Sequence, residues 1–211
     1  MADDPRPSRA SAARLSLYLR CLEGWRRDGL VTTSSRDLAT ALGVGAAQVR
    51  RDLSVLGGLG RRGVGYKVAD LAGAIRTALG IDREWSAVLV GAGNLARALL
   101  RYRGFPERGF QLVGLFDADV RKVGQRIEGL TVEPVADLGR RVKSLGAELG
   151  IVAVPWESAQ EVGDALAVAG VRGVLNFAPA VLRLPAGIAV VNVDLTIQLE
   201  QLAFQVQAAR E

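Results

Sequence analysis

Between Trp85 and Tyr102 the chain reads WSAVLVGAGNLARALLRY: an apolar run, two glycines separated by one residue, and a helix-forming segment with alanine at position 96. Residues of these types at this spacing are suited to holding a diphosphate. Gly91 permits a sharp turn at a strand end, Gly93 lets backbone amides approach the anion closely, and the third position needs only a small side chain where helix meets strand. Ala96 meets that need. A helix opening near Asn94 then aims its unpaired N–H groups at the anion, so Gly91, Ala92, Gly93, Asn94, Leu95 and Ala96 form a candidate phosphate cradle.

Such a turn alone is a weak signal and gains weight from a second strand that ends in a carboxylate about 20 residues on. FQLVGLFD ends at Asp117, 21 residues after Ala96. Its side chain could accept both hydroxyls of an adenine ribose and repel a 2′-phosphate, which favours NAD over NADP; Arg121 and Lys122 nearby oppose that preference. Asp119 has no comparable placement and reads as a turn residue. Further apolar runs continue the pattern: ELGIVAVP, VRGVLNFAP and IAVVNVD as strands, with SAQEVGDALAVAG as a helix. In a doubly wound sheet ligands lie at the carboxyl ends of the strands, where Val154, Pro155, Asn176, Phe177, Ala178 and Pro179 fall, beside the expected nicotinamide half.

The elements around this core decide what the cofactor is for. The chain holds no histidine, which removes the commonest general base, the commonest metal ligand and every nucleophile–histidine pair. A single cysteine, Cys21, excludes an internal disulfide and a thiolate-rich zinc site, and its leucine neighbours make core packing its expected fate. No metal site is expected. The opening residues lack the apolar segment of a secretory signal and no later stretch is apolar enough to span a bilayer, so a cytoplasmic, membrane-free protein is expected.

Charge is unevenly divided. Residues 1–68 carry 12 Lys+Arg against 6 Asp+Glu, whereas residues 69–211 carry 15 against 16. A basic module joined to a neutral domain suits a nucleic-acid partner, provided a motif supports it. In the basic part, Leu15, Tyr18, Leu19 and Leu22 predict a helix from about Ser11 to Arg27. Ser34 and Asp37 resemble a capping box for a short helix that ends at the Gly43-Val44-Gly45 turn, and another helix opens near Ala46. On it Val49, Leu53 and Leu56 face inward, which turns Ala47, Arg51 and Ser54 outward with Gln48 and Arg50 on the flanks. This is a helix-turn-helix whose second helix offers forked donors to base edges in the major groove. Asp52, on the inner flank, is expected to pair internally with an arginine. GGLGRRGVGYKV follows as a wing, with Arg61 and Arg62 at its tip and Val64, Tyr66 and Val68 alternating as a strand. A helix from about Ala69 to Leu79 leads to the second domain.

From Asp194 the segment DLTIQLEQLAFQVQAARE is one last helix, with Leu195, Leu199, Leu202, Val206 and Ala209 spaced 4, 3, 4 and 3 apart. Two heptads are too few for a free coiled coil, so this seam is expected to pack on a partner subunit. The expected architecture is α/β: a winged helix over 1–80, a Rossmann-type doubly wound parallel sheet over 81–193, and a dimerisation helix over 194–211.

The runs QVRRDL, RRGVGY, VGAGNLARALLRYRGF, FDAD, NFAP and VNVDLTIQLEQL, taken together and in this order, resemble the Rex family of redox-sensing transcriptional repressors over residues 11–209. The resemblance implies a homodimer that binds a palindromic, double-stranded operator when NADH is scarce and leaves it when NADH accumulates, with C-terminal helices exchanged between subunits. It also implies that Asp194 serves the partner subunit's cofactor. Leu56 and Leu59 stand where the family is expected to be aromatic, and Ala96 replaces a glycine.

A physical mechanism accompanies this reading. Paired recognition helices must lie about 34 Å apart, or a multiple, to enter successive grooves on one face of DNA. NAD⁺ is charged on its nicotinamide and NADH is not, so an apolar lining favours the reduced ring; Tyr102, Phe105, Phe177 and Leu195 are candidates for it, with Tyr102 and Asp194 able to hydrogen-bond nearby. The alternative is an NAD-dependent oxidoreductase with a basic appendage. It would need a substrate domain and a proton donor, yet only about 17 residues follow VNVD and no histidine exists. A third reading, a DNA-binding scaffold whose Rossmann unit only dimerises, requires no nucleotide binding.

Overall fold

The computed structural model describes residues 7–61 and 64–208, in two compact units, Met1–Arg83 and Glu84–Glu211. In the first unit, Ser8 caps helix α1 (Arg9–Arg27) by accepting from the Ser11 amide, which starts the helix slightly before the expected Ser11. A two-residue strand β1 (Thr32–Thr33) precedes α2 (Ser35–Leu42). The capping box is present: the Ser34 hydroxyl accepts from the Asp37 amide while the Asp37 carboxylate accepts from the Ser34 amide. Gly43 closes α2 at φ 65°, a left-handed turn that suits glycine, and α3 (Ala46–Ser54) follows. Strand β2 (Tyr66–Lys67) pairs antiparallel with β1, and α4 (Val68–Ala78) completes the unit. Leu15, Tyr18, Leu19, Leu22, Leu38, Val49, Leu53, Leu71 and Ile75 form its core, with Cys21, Leu56 and Leu59 partly buried against it.

One expectation is corrected. Val64, Tyr66 and Val68 do not alternate along a single strand: β2 holds only two residues, and Val68 is the buried first residue of α4. Val68 keeps a sheet-like bond from its amide to the Val31 carbonyl, but the core takes its side chain into the helix layer.

The second unit is a seven-stranded sheet built from β3 (Trp85–Val90), β4 (Phe110–Asp117), β5 (Arg126–Ile127), β6 (Leu130–Pro134), β7 (Leu149–Val152), β8 (Gly173–Asn176) and β9 (Ala189–Asn192). Their order is β5-β6-β4-β3-β7-β8-β9, parallel throughout except for the β5–β6 pair at one edge. Without the antiparallel edge strand β5, the strand sequence reads third, second, first, fourth, fifth, sixth, and the chain reverses direction across the sheet between β3 and β7. Helix α5 (Asn94–Arg101) covers one face; α6 (Leu138–Ser144) and α7 (Trp156–Ala169) cover the other. Successive residues of β3 serve opposite layers, Val88 and Val90 with α6 and α7, Leu89 with α5, so the strand is apolar without alternation. The stretch from Arg126 to Ser144, not assigned from periodicity, forms β5, β6 and α6. Helix α8 (Leu195–Ala208) follows β9 and buries none of its residues; Ala209 lies outside the described residues.

Candidate nucleotide cleft and nucleic-acid interface

A cleft of about 740 Å³ opens at the carboxyl ends of β3, β4 and β7, where the sheet reverses. Gly91 and Gly93 line it for different reasons. At Gly91 φ is +102°, and a Cβ there would lie 2.2 Å from the Ala153 carbonyl oxygen, so β7 itself demands glycine. At Gly93 φ is −90° and a Cβ would meet nothing within 4 Å. Nothing among the described residues requires glycine at 93. Ala96 is fully buried among Leu89, Ala92, Leu115 and Ile151, which explains a small residue where α5 crosses the sheet. Asn94 and Leu95 are exposed at the first turn of α5.

Asp117 lies at the end of β4 and lines the cleft, almost fully buried. One carboxylate oxygen accepts from the Ala92 amide at 2.7 Å and from Lys122 Nζ at 2.8 Å; the other accepts from the Asp119 amide at 2.8 Å. Burial opposes its ionisation, but Lys122 and the two amides outweigh it and hold the carboxyl below its ordinary range. The charges beside it separate clearly. Arg121 turns away to clasp Asp119 with two guanidinium bonds, pulling that carboxyl down to about 2, and leaves Lys122 as the cation facing Asp117.

Val154 and Pro155, after β7, line the same cleft, as do Ser158 and Glu161 of α7 and Val135 and Ala136 beyond β6. Those last four carry no signal in the sequence, because only the crossovers bring them there. Phe177 is half-buried, Ala178 buried and Pro179 exposed at the end of β8. Asn176 is wholly buried and fully engaged: its amide donates to the carbonyls of Ala178 and Ala180 and to Asn192 Oδ1, while its oxygen accepts from the Ala178 amide. It organises the loop and does not present an amide to a ligand.

Two further expectations change. Tyr102 and Phe105 do not line the cleft. Helix α5 must run back along the sheet before β4 can start parallel to β3, so it delivers them to the opposite, amino-terminal ends of these strands, where the Phe110 amide donates to the Phe105 carbonyl. There the rings meet edge to face at 5.2 Å. Asp194, half-buried, accepts from the Thr196 amide at 2.8 Å and so caps α8. Leu195 is exposed.

In the first unit, Asp52 is buried and receives five hydrogen bonds from four side chains. Arg14 donates twice, at 2.6 and 2.7 Å, joined by Ser11 at 2.9 Å, Tyr18 at 2.8 Å and Gln48 at 3.1 Å. The Arg14 bonds, helped by those from Tyr18, Ser11 and Gln48, hold its carboxyl well below the usual range despite burial. Burial, with Asp52 alongside, pushes the Tyr18 hydroxyl up to about 12. The expected internal arginine partner is therefore Arg14, and Gln48 is turned inward to the same carboxylate. Ala47, Arg50, Arg51 and Ser54 are exposed on α3, with Ser54 donating back to the Arg51 carbonyl. Arg61 is exposed at the wing root, bridged to Gly65; Arg62 lies outside the described residues. Among the described residues no group of His, Cys, Asp and Glu could hold a metal ion.

With this geometry in hand, known proteins offer a direct comparison. A family model described as a CoA binding domain matches residues 82–180, and one described as a putative DNA-binding protein N-terminus matches residues 8–54. The redox-sensing transcriptional repressor Rex of Carboxydothermus hydrogenoformans is 48% identical over 198 residues, 94% of this chain and 95% of that protein. That of Rhodopirellula baltica is 48% identical over 200 residues, covering 95% of this chain and 84% of its own. The crystal structure of RSP in complex with β-NAD⁺ and operator DNA superimposes with a TM-score of 0.91 at 33% identity, over 96% of this chain and 94% of that one. RSP in complex with β-NADH gives 0.87 at 32%, over 96% and 95%. With such identity along nearly the whole length of both partners in each comparison, the chain belongs to the Rex family of redox-sensing transcriptional repressors.

Proposed function

We propose that this chain is an NADH-responsive repressor: a homodimer that holds a palindromic operator through α3 and the wing, and releases it when reduced dinucleotide fills the cleft at β3, β4 and β7. The observation that carries the effector half is Gly93, whose lack of a side chain is demanded neither by a positive φ nor by any neighbour among the described residues. Its use is to let a ligand approach.

The residues present fit a dinucleotide. Gly91, Ala92, Gly93 and Asn94, with Leu95 and Ala96 forming the first turn behind them, would hold the diphosphate; Asp117 and Lys122 would hold the adenine ribose. Val154, Pro155, Phe177, Ala178 and Pro179 would border the nicotinamide. When bound, that ring supplies a difference of one charge between its oxidised and reduced forms. The apolar side chains of Val154 and Phe177 give a cation no compensation for lost hydration and so favour the neutral form. Tyr102 and Phe105 would reach a nicotinamide only as contributions from the other protomer.

Homodimerisation is supported by α8, whose Leu195, Leu199, Leu202 and Val206 share one face and Ile197 and Phe204 the opposite one, all about half exposed or more. The face of β8 and β9 beyond α5 also lacks a covering helix among the described residues: Leu175 and Phe177 are only partly buried, and Val191, paired with Leu175, is 48% exposed. We assign residues 1–80 to operator binding, 81–193 to the dinucleotide and 194–211 to dimerisation. On DNA, Ala47, Arg51 and Ser54 would face the bases, with Arg50, Arg61 and Arg62 toward the backbone, and Gln48 steadying the helix from within. The chain works without turnover and in the cytoplasm; no helix among the described residues is long and apolar enough to cross a membrane.

Carrying an operator-competent population from 99:1 to 1:99 takes about 5.5 kcal/mol of differential binding, or about 2.8 kcal/mol for each of two sites. The test is an operator gel shift titrated with NADH against a fixed NAD⁺ background, in which rising NADH should abolish retardation. Unchanged retardation at every ratio would overturn the effector claim and leave the DNA-binding claim standing. Oxidation of NADH by candidate aldehydes or keto acids would instead favour the oxidoreductase.

A further inference from the structure

Next to the outward face of α3 lies a second cleft, of about 560 Å³, between the start of α2, the flank of α3 and the root of the wing. Ser34, Ser35, Arg36, Arg50 and Arg61 supply its polar lining, and none of the residues lining it is acidic. The nearest carboxylate in sequence, Asp37, is occupied by the Ser34 amide and the Thr33 hydroxyl. Arg36, Arg50 and Arg61 have no carboxylate partner among the described residues, although ion pairs hold several arginines elsewhere. Arg50 Nη1 lies 3.4 Å from Ser35 Oγ, so a hydroxyl and a guanidinium from two different helices already converge.

The backbone frame of this cleft is fixed before any ligand arrives. Gly65 sits at φ +88°, where a Cβ would fall 2.3 Å from the Thr33 carbonyl oxygen, and a Cβ at Gly60 would fall 2.8 Å from the Tyr66 ring. Thr33 pairs with Tyr66 across β1 and β2, which ties the wing root to the residue preceding Ser34. Three like charges held around a rigid opening repel one another unless an anion sits among them.

We propose that this cleft grips one phosphodiester of the DNA backbone per protomer, through Arg36, Arg50 and the Ser35 hydroxyl, with Arg61 closing it from the wing. Arg50 is thereby a positioning contact without sequence preference, and its neighbour Arg51, exposed and turned out of the cleft, faces the bases. This inference rests on the DNA-binding reading above. Guanidinium groups suit the task because they offer paired donors to phosphate oxygens, and such contacts fix register on the duplex without reading it.

The test measures fluorescence anisotropy of the full chain on two labelled duplexes over a range of salt concentrations: one selected by the chain from a randomised pool, the other a scrambled sequence of the same composition. Arg50→Gln and Arg36→Gln should each weaken both duplexes by the same factor. The slope of log affinity against log salt should fall by about 0.9 for each lost phosphate contact, hence by about 1.8 for a dimer. Ser35→Glu should also weaken both duplexes alike. An acidic residue in the first turn of α2 favours the helix, so an unchanged thermal midpoint would assign its loss of affinity to repulsion of phosphate. A loss for Arg50→Gln confined to the selected duplex, with the salt slope of the wild type, would make Arg50 a base reader and overturn the proposal, as would unaltered binding by Arg36→Gln and Ser35→Glu. Failure of the wild type to bind either duplex is a separate result, which removes the DNA-binding reading and this proposal together.

Discussion

Gly91 and Gly93 stand one residue apart and answer to different demands. The fold fixes Gly91 through its positive φ and the carbonyl of Ala153, whereas open space surrounds the Cα of Gly93. Gly91→Ala should therefore destabilise the second unit by more than about 1 kcal/mol, read as a lowered denaturation midpoint. Gly93→Val, at the N-cap of α5, should cost no more than about 1 kcal/mol of stability yet weaken NADH binding at least about tenfold by calorimetry. Equal stability losses for both, with NADH affinity retained by Gly93→Val, would remove the argument for a cradle. Lys122 refines the choice of nucleotide. Its ammonium neutralises the carboxylate that would repel a 2′-phosphate, so Lys122→Met should widen the preference for NADH over NADPH by about tenfold, roughly 1.4 kcal/mol. A preference that narrows or stays put would mean that Lys122 has no part in the ribose subsite.

At the scale of elements, the recognition helix is held from behind by one buried carboxylate. Asp52 joins α3 to α1 through Arg14, Ser11 and Tyr18, and Gln48 completes the set from one turn earlier on α3. A carboxyl whose folded pKa lies below its unfolded value of about 3.9 contributes its full stabilisation above that value and loses it as pH falls toward the folded pKa. Asp52→Asn removes the contribution at every pH. The gap in thermal midpoint between wild type and Asp52→Asn should thus be widest above about pH 5 and shrink below about pH 4. A constant gap across that range would show that packing, not charge, anchors α3. The amphipathic pattern of α3 made the inward flank of Asp52 legible, but not its three partners on α1, which lie 34 to 41 residues away. Tyr102 and Phe105 show the opposite case. Their aromatic character suggested a cofactor lining, and the length of α5 carried them to the amino-terminal ends of the strands, away from the cleft.

At the scale of the whole molecule, α8 is a helix with apolar residues on two opposite faces and no cover among the described residues. The heptad spacing pointed to one of those faces; Ile197 and Phe204, off the seam, supply the other. Such a helix is stable when something packs on both sides. Replacing Leu199 and Leu202 together by aspartate should yield a monomer by light scattering and weaken operator binding by about 10² or more, because two half-sites would no longer be engaged through one linked body. A double variant that stays dimeric would locate the subunit interface elsewhere.

By itself the sequence determined the two kinds of domain, the candidate glycine cradle and its carboxylate, the helix-turn-helix and the apolar last helix, because each depends on residues close together in the chain: a turn that only glycine can make, a cap three residues from its partner, an unbroken apolar run, a periodicity of 3.6. Tertiary structure alone decided which strand ends face one another across the cleft, that Lys122 and not Arg121 faces Asp117, that Gln48 points inward, and that three arginines from α2, α3 and the wing share one opening. Those arrangements arise from crossover connections and core packing between distant segments, and local pattern carries no information about them.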